Sequence, residues 1–285
     1  MTLIIGQTGQ LGRALARARP DAMFLDRAAL DLCCDEDAIR AALDAVEPPV
    51  PGVIIAAAYT RVDDAEDDAD TAHIVNARAP GIIARWCAEA GLPVVYPSTD
   101  YVFSGTGERP WEPGDTTDPL NAYGRSKLAG ERAVAESGAR HVILRTSWVY
   151  DSDGKNFLTT MLSLSLDSSY VQVVSDQIGR PTHADDLARA CLLAVDGEAT
   201  GTFHVSGGGP FTSWAGFARQ AFAAIEHDCR VDNVRSSFYK TKAKRPKNSR
   251  LDISAFEQAY GESPPDWRER VAEAARAWEP QLYLD

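Results

Sequence analysis

A phenol and an ammonium four positions apart, in Tyr123-Gly-Arg-Ser-Lys127, carry the clearest chemical potential in this chain. On an α-helix, side chains four positions apart lie one above the other on a single face. The flanks predict such a helix. Asp118-Pro119-Leu120-Asn121 reads as a turn and start signal, and 127–134 continues with mostly good helix formers. A free phenol titrates near about 10. A neighbouring ammonium favours the phenolate and lowers that value, so the pair reads as a general acid/base unit. The same spacing arises by chance on many solvated helix faces, and its weight depends on what surrounds it.

The start of the chain supplies a site for a partner molecule. Residues 2–5 predict a short apolar strand, and 13–19 a helix. Between them lies Gly6-Gln7-Thr8-Gly9-Gln10-Leu11-Gly12. Strand, glycine turn and helix in this order open a dinucleotide-binding unit. The glycines permit a tight turn and let a pyrophosphate approach the backbone, where the helix N-terminus offers free N–H groups. The spacing is G-x-x-G-x-x-G rather than G-x-G-x-x-G. A second strand over 22–25 ends at Asp26-Arg27. A carboxylate there suits the adenosine ribose hydroxyls and an arginine suits the extra phosphate of NADP, so the cofactor is NADPH or NADH with the preference open.

Further along, 35–46 predicts a helix, 48–52 a turn, and 53–58 a fully apolar strand of the kind buried parallel sheets require. Ala57, Ala58 and Tyr59, at its end, are candidate cofactor contacts. So is Asn76, within a long helical region that begins in the acidic 59–70 segment and runs to about Gly91. A strand over 92–96 leads into Ser98 and Thr99, beyond the carboxyl end of a strand, where open α/β sheets bind ligands. The 104–121 loop is long enough to be functional. A strand over 141–145 follows the Tyr123 helix.

Strands and helices alternate, so the expected fold is α/β: a doubly wound, Rossmann-like parallel sheet with a smaller C-terminal α/β substrate domain. The dinucleotide-binding domain spans 1–150, with a return at about 182–206, and the substrate-binding domain spans 151–285. In the second part, helices are expected over 156–166, 184–195, 213–225 and 265–277, and strands over 171–174 and 201–205.

Composition narrows the class. Of 285 residues, 45% are hydrophobic and 25% charged, which is ordinary for a globular chain. No apolar run is long enough to cross a bilayer, and no leader is evident, so a cytoplasmic protein without a membrane partner is expected. The five cysteines and five histidines show neither a disulfide framework nor metal-ligand spacing, so buried free thiols and no metal are expected. A net charge of −12 argues against a nucleic-acid partner. A basic run over 235–250 suggests either a phosphorylated small molecule or a solvated loop.

Together these motifs resemble an extended short-chain dehydrogenase/reductase, and more closely the dTDP-4-dehydrorhamnose reductase family. Gly6–Gly12, Ala56-Ala-Ala-Tyr-Thr-Arg-Val-Asp63, Ser98-Thr-Asp-Tyr-Val-Phe103 and Tyr123–Glu131 carry the likeness. Arg145-Thr-Ser-Trp-Val-Tyr150, Asp176-Gln-Ile-Gly-Arg-Pro-Thr182 and Arg245-Pro-Lys-Asn-Ser-Arg-Leu251 extend it over nearly the whole length. The resemblance implies reduction of the C4 keto group of dTDP-6-deoxy-L-lyxo-4-hexulose to dTDP-L-rhamnose by hydride from NAD(P)H. Tyr123 would be the general acid. Lys127 would lower its pKa and hold the nicotinamide ribose, and Thr99 would hydrogen-bond the carbonyl oxygen. The resemblance also implies that Asp100, Tyr101 and Trp148 line the sugar pocket, that Asn156, Gln177 and Arg180 contact sugar or diphosphate, and that Arg250 takes the substrate pyrophosphate. A homodimer is compatible with it. The family usually has Asn where Ile55 stands, Asp where Cys34 stands, and a small residue where Arg61 stands. Two other readings remain open: a reductase of a different dTDP-4-keto-6-deoxyhexose, and a non-catalytic cofactor-binding regulatory subunit.

Overall fold

Short apolar runs with no polar face must be covered on both sides. In the computed structural model, which describes residues 1–47 and 49–278, that is where they lie. Pro48, at the start of the turn expected over 48–52, is outside the described residues.

The first half runs β1 (Leu3–Ile5), α1 (Gln10–Ala18), β2 (Met23–Leu25), α2 (Glu36–Asp44), β3 (Val53–Ile55), α3 (Ala69–His73), α4 (Ala79–Glu89), β4 (Val94–Thr99), α5 (Ala122–Ala135) and β5 (His141–Thr146). The second half runs β6 (Val149–Tyr150), α6 (Phe157–Asp167), β7 (Tyr170–Val174), β8 (Ile178–Gly179), β9 (Thr182–His183), α7 (Ala184–Asp196) and β10 (Gly201–His204). It closes with β11 (Thr212–Ser213), α8 (Trp214–Ala224), β12 (Arg230–Val234), α9 (Ser254–Tyr260) and α10 (Trp267–Ala277).

Among the described residues the main sheet has six strands in the order β10-β5-β4-β3-β1-β2. Every neighbouring pair is parallel, as the alternation predicts. Side chains alternate across a strand. Leu3 and Ile5 therefore join a core with Ile39, Leu43 and Ile83, while Ile4 faces the opposite way onto Leu15, Leu187 and Cys191. The run expected as the last strand of the sheet, 201–205, does rejoin it, as β10 against β5. A third core, with Tyr150, Leu158, Phe217, Trp267 and Val271, lies in the second half around α6, α8 and α10.

Two expectations are corrected. The strand expected over 53–58 ends at Ile55, and 56–58 continue without strand pairing. The long helix expected to run to Gly91 is broken into a 3-10 turn at Asp64–Glu66, α3, a π-helical turn at Ile74–Arg78, and α4. Pro80, in the first turn of α4, explains the break: it has no N–H to give to the carbonyl of Asn76. That carbonyl accepts instead from the buried Tyr96 hydroxyl at 2.6 Å. Against the same carbonyl packs Gly130 of α5, where a Cβ would come within 1.9 Å of it. β12 and α9, in a stretch with no expected elements, pack β12 parallel to β7 and α9 beside β10.

Candidate active site

A cleft of about 890 Å³ opens beyond the carboxyl ends of β1, β3 and β4. The strand order reverses direction there, between β1 and β3, as ligand sites of such sheets require.

At one end is the glycine turn. Gly6 has φ +98°, and a Cβ on it would lie 2.7 Å from the Ala57 nitrogen, which donates to the Ile5 carbonyl at 2.7 Å. Only glycine allows both the backbone turn and this approach. A Cβ on Gly12 would strike the Gly6 carbonyl at 2.5 Å, so Gly12 packs α1 onto the turn and does not line the cleft. A Cβ on Gly9 would meet nothing within 4 Å, and no side chain caps the N-terminus of α1. The Oε1 of Gln10 is buried there without a partner. An open cradle of free N–H groups at a helix N-terminus fits a dinucleotide pyrophosphate. Gln7, Thr8, Leu11, Ala58 and Tyr59 also line the cleft, as expected.

Beyond the turn, Asp26 accepts from the backbone N–H groups of Ala28 and Ala29, each at 3.0 Å, through one carboxylate oxygen. Arg27 is 84% exposed, 3.6 Å from Asp31. Cys33 lines the cleft beside them, and both it and Cys34 are exposed, against the expectation that all thiols are buried. Asp35, which could replace an acidic group at position 34, is committed as the N-cap of α2.

Asn76 does not reach the cleft. It is fully buried, its Oδ1 accepts from the Tyr59 N–H at 2.8 Å, and its amide donates to the Tyr59 carbonyl and the Ser126 hydroxyl. Ser126 in turn donates to the Tyr123 carbonyl at 2.8 Å. Asn76 is therefore a brace between the Tyr59 segment and α5, buried away from the cleft with both amide hydrogens used.

At the reaction end, β4 delivers Thr99 and α5 delivers Tyr123 and Lys127 to the same cleft. Asn121 caps α5 by accepting from the Gly124 N–H at 2.7 Å. A Cβ on Gly124 would lie 2.2 Å from the Tyr101 carbonyl, and this contact lets the Tyr101 ring meet Tyr123 edge-on at 5.7 Å. Lys127 is buried, donates to the Pro97 carbonyl at 2.7 Å, and lies 3.9 Å from the centre of the Tyr96 ring. Burial lowers its pKa to about 7, with Glu131 opposing. Burial also pushes the Tyr123 phenol well above its usual range, Thr99 pulling it down and Asp100 adding to the rise. The expectation that the ammonium lowers the phenol pKa is thus corrected: desolvation is the larger effect. The phenol is protonated at neutral pH, as a proton donor must be.

Asp100 accepts from the Thr99 hydroxyl at 3.2 Å, while its other carboxylate oxygen is buried without a partner. Burial raises its pKa to about 7, against the hydrogen bonds of Ser249 and Thr99. Behind these groups, Arg145 of β5 and Glu131 of α5 form a buried pair at 2.7 Å, and Ser98 donates to the same carboxylate.

The remaining candidates divide. Trp148, held at φ +53°, lines the cleft and stacks on Trp214 with ring centres 3.9 Å apart. Asn156 lines it too, but its side chain caps α6. Gln177 does not line the cleft; its Oε1 accepts from the Trp214 indole. Nor does Arg180, which donates to the carbonyls of Leu251 and Gly209, or Arg250, which donates to Asn248. Both guanidiniums lie against the Phe211 ring, at 4.5 and 5.9 Å.

The basic 235–250 run is neither free nor simply solvated. Arg245 grips Asp63 at 2.6 Å, Lys242 pairs with Asp67, and Lys247 lies 3.5 Å from Asp176. Arg61 lies over the Tyr59 ring. Trp214, Phe157 and Lys155 line the cleft without any sequence signal, because they come from an aromatic helix start and a polar loop.

The description "RmlD substrate binding domain" belongs to a family model that matches residues 1–279. A dTDP-4-dehydrorhamnose reductase of Sinorhizobium fredii is 40% identical over 281 residues, covering 93% of each chain. The crystal structure of a dTDP-4-dehydrorhamnose reductase from Clostridium acetobutylicum superposes with a TM-score of 0.91 at 34% identity, covering 97% of this chain and 98% of that one. One from Bacillus anthracis, solved in complex with NADP, gives 0.89 at 32% identity, covering 97% of both.

Proposed function

This chain belongs to the RmlD substrate binding domain family, and on that premise we propose that it is an NAD(P)H-dependent dTDP-4-dehydrorhamnose reductase, acting on dTDP-6-deoxy-L-lyxo-4-hexulose. The observation that carries the reading is the convergence of Thr99, Tyr123 and Lys127 on the cleft that also holds the glycine turn. A regulatory subunit would need the turn but not the buried phenol and amine. Ala57, Ala58 and Tyr59 line the cleft with Ile55 buried behind them and Arg61 beside them over the Tyr59 ring.

The dinucleotide, when bound, supplies the hydride. Gly6, Gly9 and the N-terminus of α1 receive its pyrophosphate, and Asp26 and Arg27 face its adenosine ribose. Thr99 donates a hydrogen bond to the C4 carbonyl oxygen and holds it toward Tyr123. As negative charge develops on that oxygen, Tyr123 gives it the phenolic proton. Lys127, with a pKa near neutrality, restores that proton and holds the nicotinamide ribose. The stacked Trp148 and Trp214 offer an apolar wall to a deoxysugar. Arg180 and Arg250, gathered on Phe211 outside the cleft lining, would have to leave their Leu251, Gly209 and Asn248 partners to take the substrate diphosphate. Among the described residues no helix is long and apolar enough to cross a membrane. A cytoplasmic location is part of this reading, since the proposed substrate and cofactor are a nucleotide sugar and a nicotinamide.

The test is oxidation of NADH and NADPH, in parallel, by the purified chain with dTDP-4-keto-6-deoxyglucose, with and without its 3,5-epimerase. Oxidation that requires the epimerase is expected. Oxidation without it reassigns the sugar, and cofactor binding without oxidation points to the regulatory reading.

A further inference from the structure

Two cationic side chains of the cleft wall, Arg61 and Lys155, have no role in the proposed reaction, and Arg61 is already occupied over the Tyr59 ring and beside Asp64. Lys155 is exposed and lines the cleft from the loop between β6 and α6. That loop is held firmly. Asn156 caps α6 and donates to the carbonyls of Asp151, Asp153 and Gly154 at 2.8–3.3 Å.

Two arginines of α1, the helix that follows the glycine turn, hold the loop from the other side. Arg17 donates to the buried Asp151 carboxylate at 2.8 Å. Arg13 donates to the Thr8 carbonyl of the glycine turn at 2.7 Å and to the Asp153 carbonyl at 3.2 Å. Gly154, at φ +69°, lies directly on Arg13: a Cβ there would come within 2.7 Å of the guanidinium. One guanidinium thus bridges the glycine turn and the two residues before Lys155. Arg13 itself donates to two backbone carbonyls, lies 3.6 Å from Asp153 and does not line the cleft. Lys155 is the cation this arrangement presents to the space above the turn.

We infer that Lys155 is a diphosphate clamp, closing on the dinucleotide pyrophosphate from the side opposite the N-terminus of α1. The inference rests on the dinucleotide reading above. The substrate also carries a diphosphate, and a lysine recognises either as a point charge. The tether through Arg13 to Thr8 favours the dinucleotide.

The full-length chain, Lys155→Ala and Lys155→Arg are titrated at equilibrium with NADH, ADP-ribose, AMP and dTDP, by calorimetry, at two salt concentrations. Lys155→Ala is expected to bind NADH and ADP-ribose about five- to tenfold more weakly, with a shallower salt dependence, as loss of one charge-assisted contact predicts. Lys155→Arg should recover most of that loss. AMP and dTDP should change by less than about twofold, lacking the clamped diphosphate or its position. Unchanged ADP-ribose affinity in Lys155→Ala overturns the inference, and so does a loss confined to dTDP. If the parent chain binds neither NADH nor ADP-ribose, the dinucleotide reading falls and takes the clamp with it.

Discussion

The two ends of the cleft are built from the same kind of part, a parallel strand releasing polar residues at its carboxyl end, yet they hold their charges in opposite ways. At the reaction end the ion pair is Arg145–Glu131, with side chains 7% and 5% exposed; at the adenosine end it is Arg27–Asp31, 84% and 38% exposed. Burial governs the first: Lys127 falls to about 7 and Asp100 rises to about 7. Local hydrogen bonding governs the second, where the Cys33 N–H holds Asp31 below its usual range. A buried end brings pKa values toward neutrality and fixes geometry, at a cost in stability. A solvated end leaves affinity adjustable at little cost.

The contrast breaks most visibly if Tyr123→Phe keeps its turnover. The expected loss is roughly a thousandfold, the scale of a lost general acid, with NADH affinity unchanged. Steady-state rates beside a binding titration test both halves. Next in size, Arg145→Met strands the Glu131 carboxylate and should lower stability by about 3–5 kcal/mol. Urea unfolding at neutral pH measures it, and a change under 1 kcal/mol would mean that the pair is not buried in solution.

Asp100→Asn sharpens the comparison through pH. The folded-state pKa of Asp100, about 7, lies above its unfolded value, so its contribution is fully present below the unfolded pKa and is lost as pH rises through 7. The stability of the Asn variant relative to the parent should therefore improve by roughly 2–4 kcal/mol between pH 4 and pH 8. A pH-independent difference would contradict the burial argument. The smallest effect belongs to the exposed end. Arg27→Ala should weaken NADPH by about fivefold and leave NADH unchanged, with stability shifted by less than about 0.5 kcal/mol. Equal loss for both cofactors would remove Arg27 from the 2′-phosphate.

Much of this was legible in the residues. The apolar runs at 2–5, 53–58 and 92–96 read as buried strands, and each holds one, though the second ends at Ile55; the glycine turn before α1 marked the cleft. Thr99, Tyr123 and Lys127 were named from one strand end and one helix face, both local features. Asn76 was misplaced because its backbone lies opposite Pro80 in a π-helical turn, and helical periodicity alone does not reveal that turn. The basic 235–250 run read as a solvated loop or a site for a phosphorylated small molecule, because nothing local shows that Arg245 and Lys242 face Asp63 and Asp67.

The sequence by itself determined the alternation of strands and helices around the main sheet, the turn that only glycine can make at Gly6, and the chemical identity of the candidate reacting groups. Those are properties of neighbours within a few residues, set by side-chain periodicity and backbone sterics. The tertiary structure decided which of those groups are charged. The spacing of Tyr123 and Lys127 predicted a phenol lowered by an ammonium. Enclosure by residues distant in sequence raises the phenol and lowers the amine instead, because desolvation acts through every packed neighbour and not only through the residue one helical turn away.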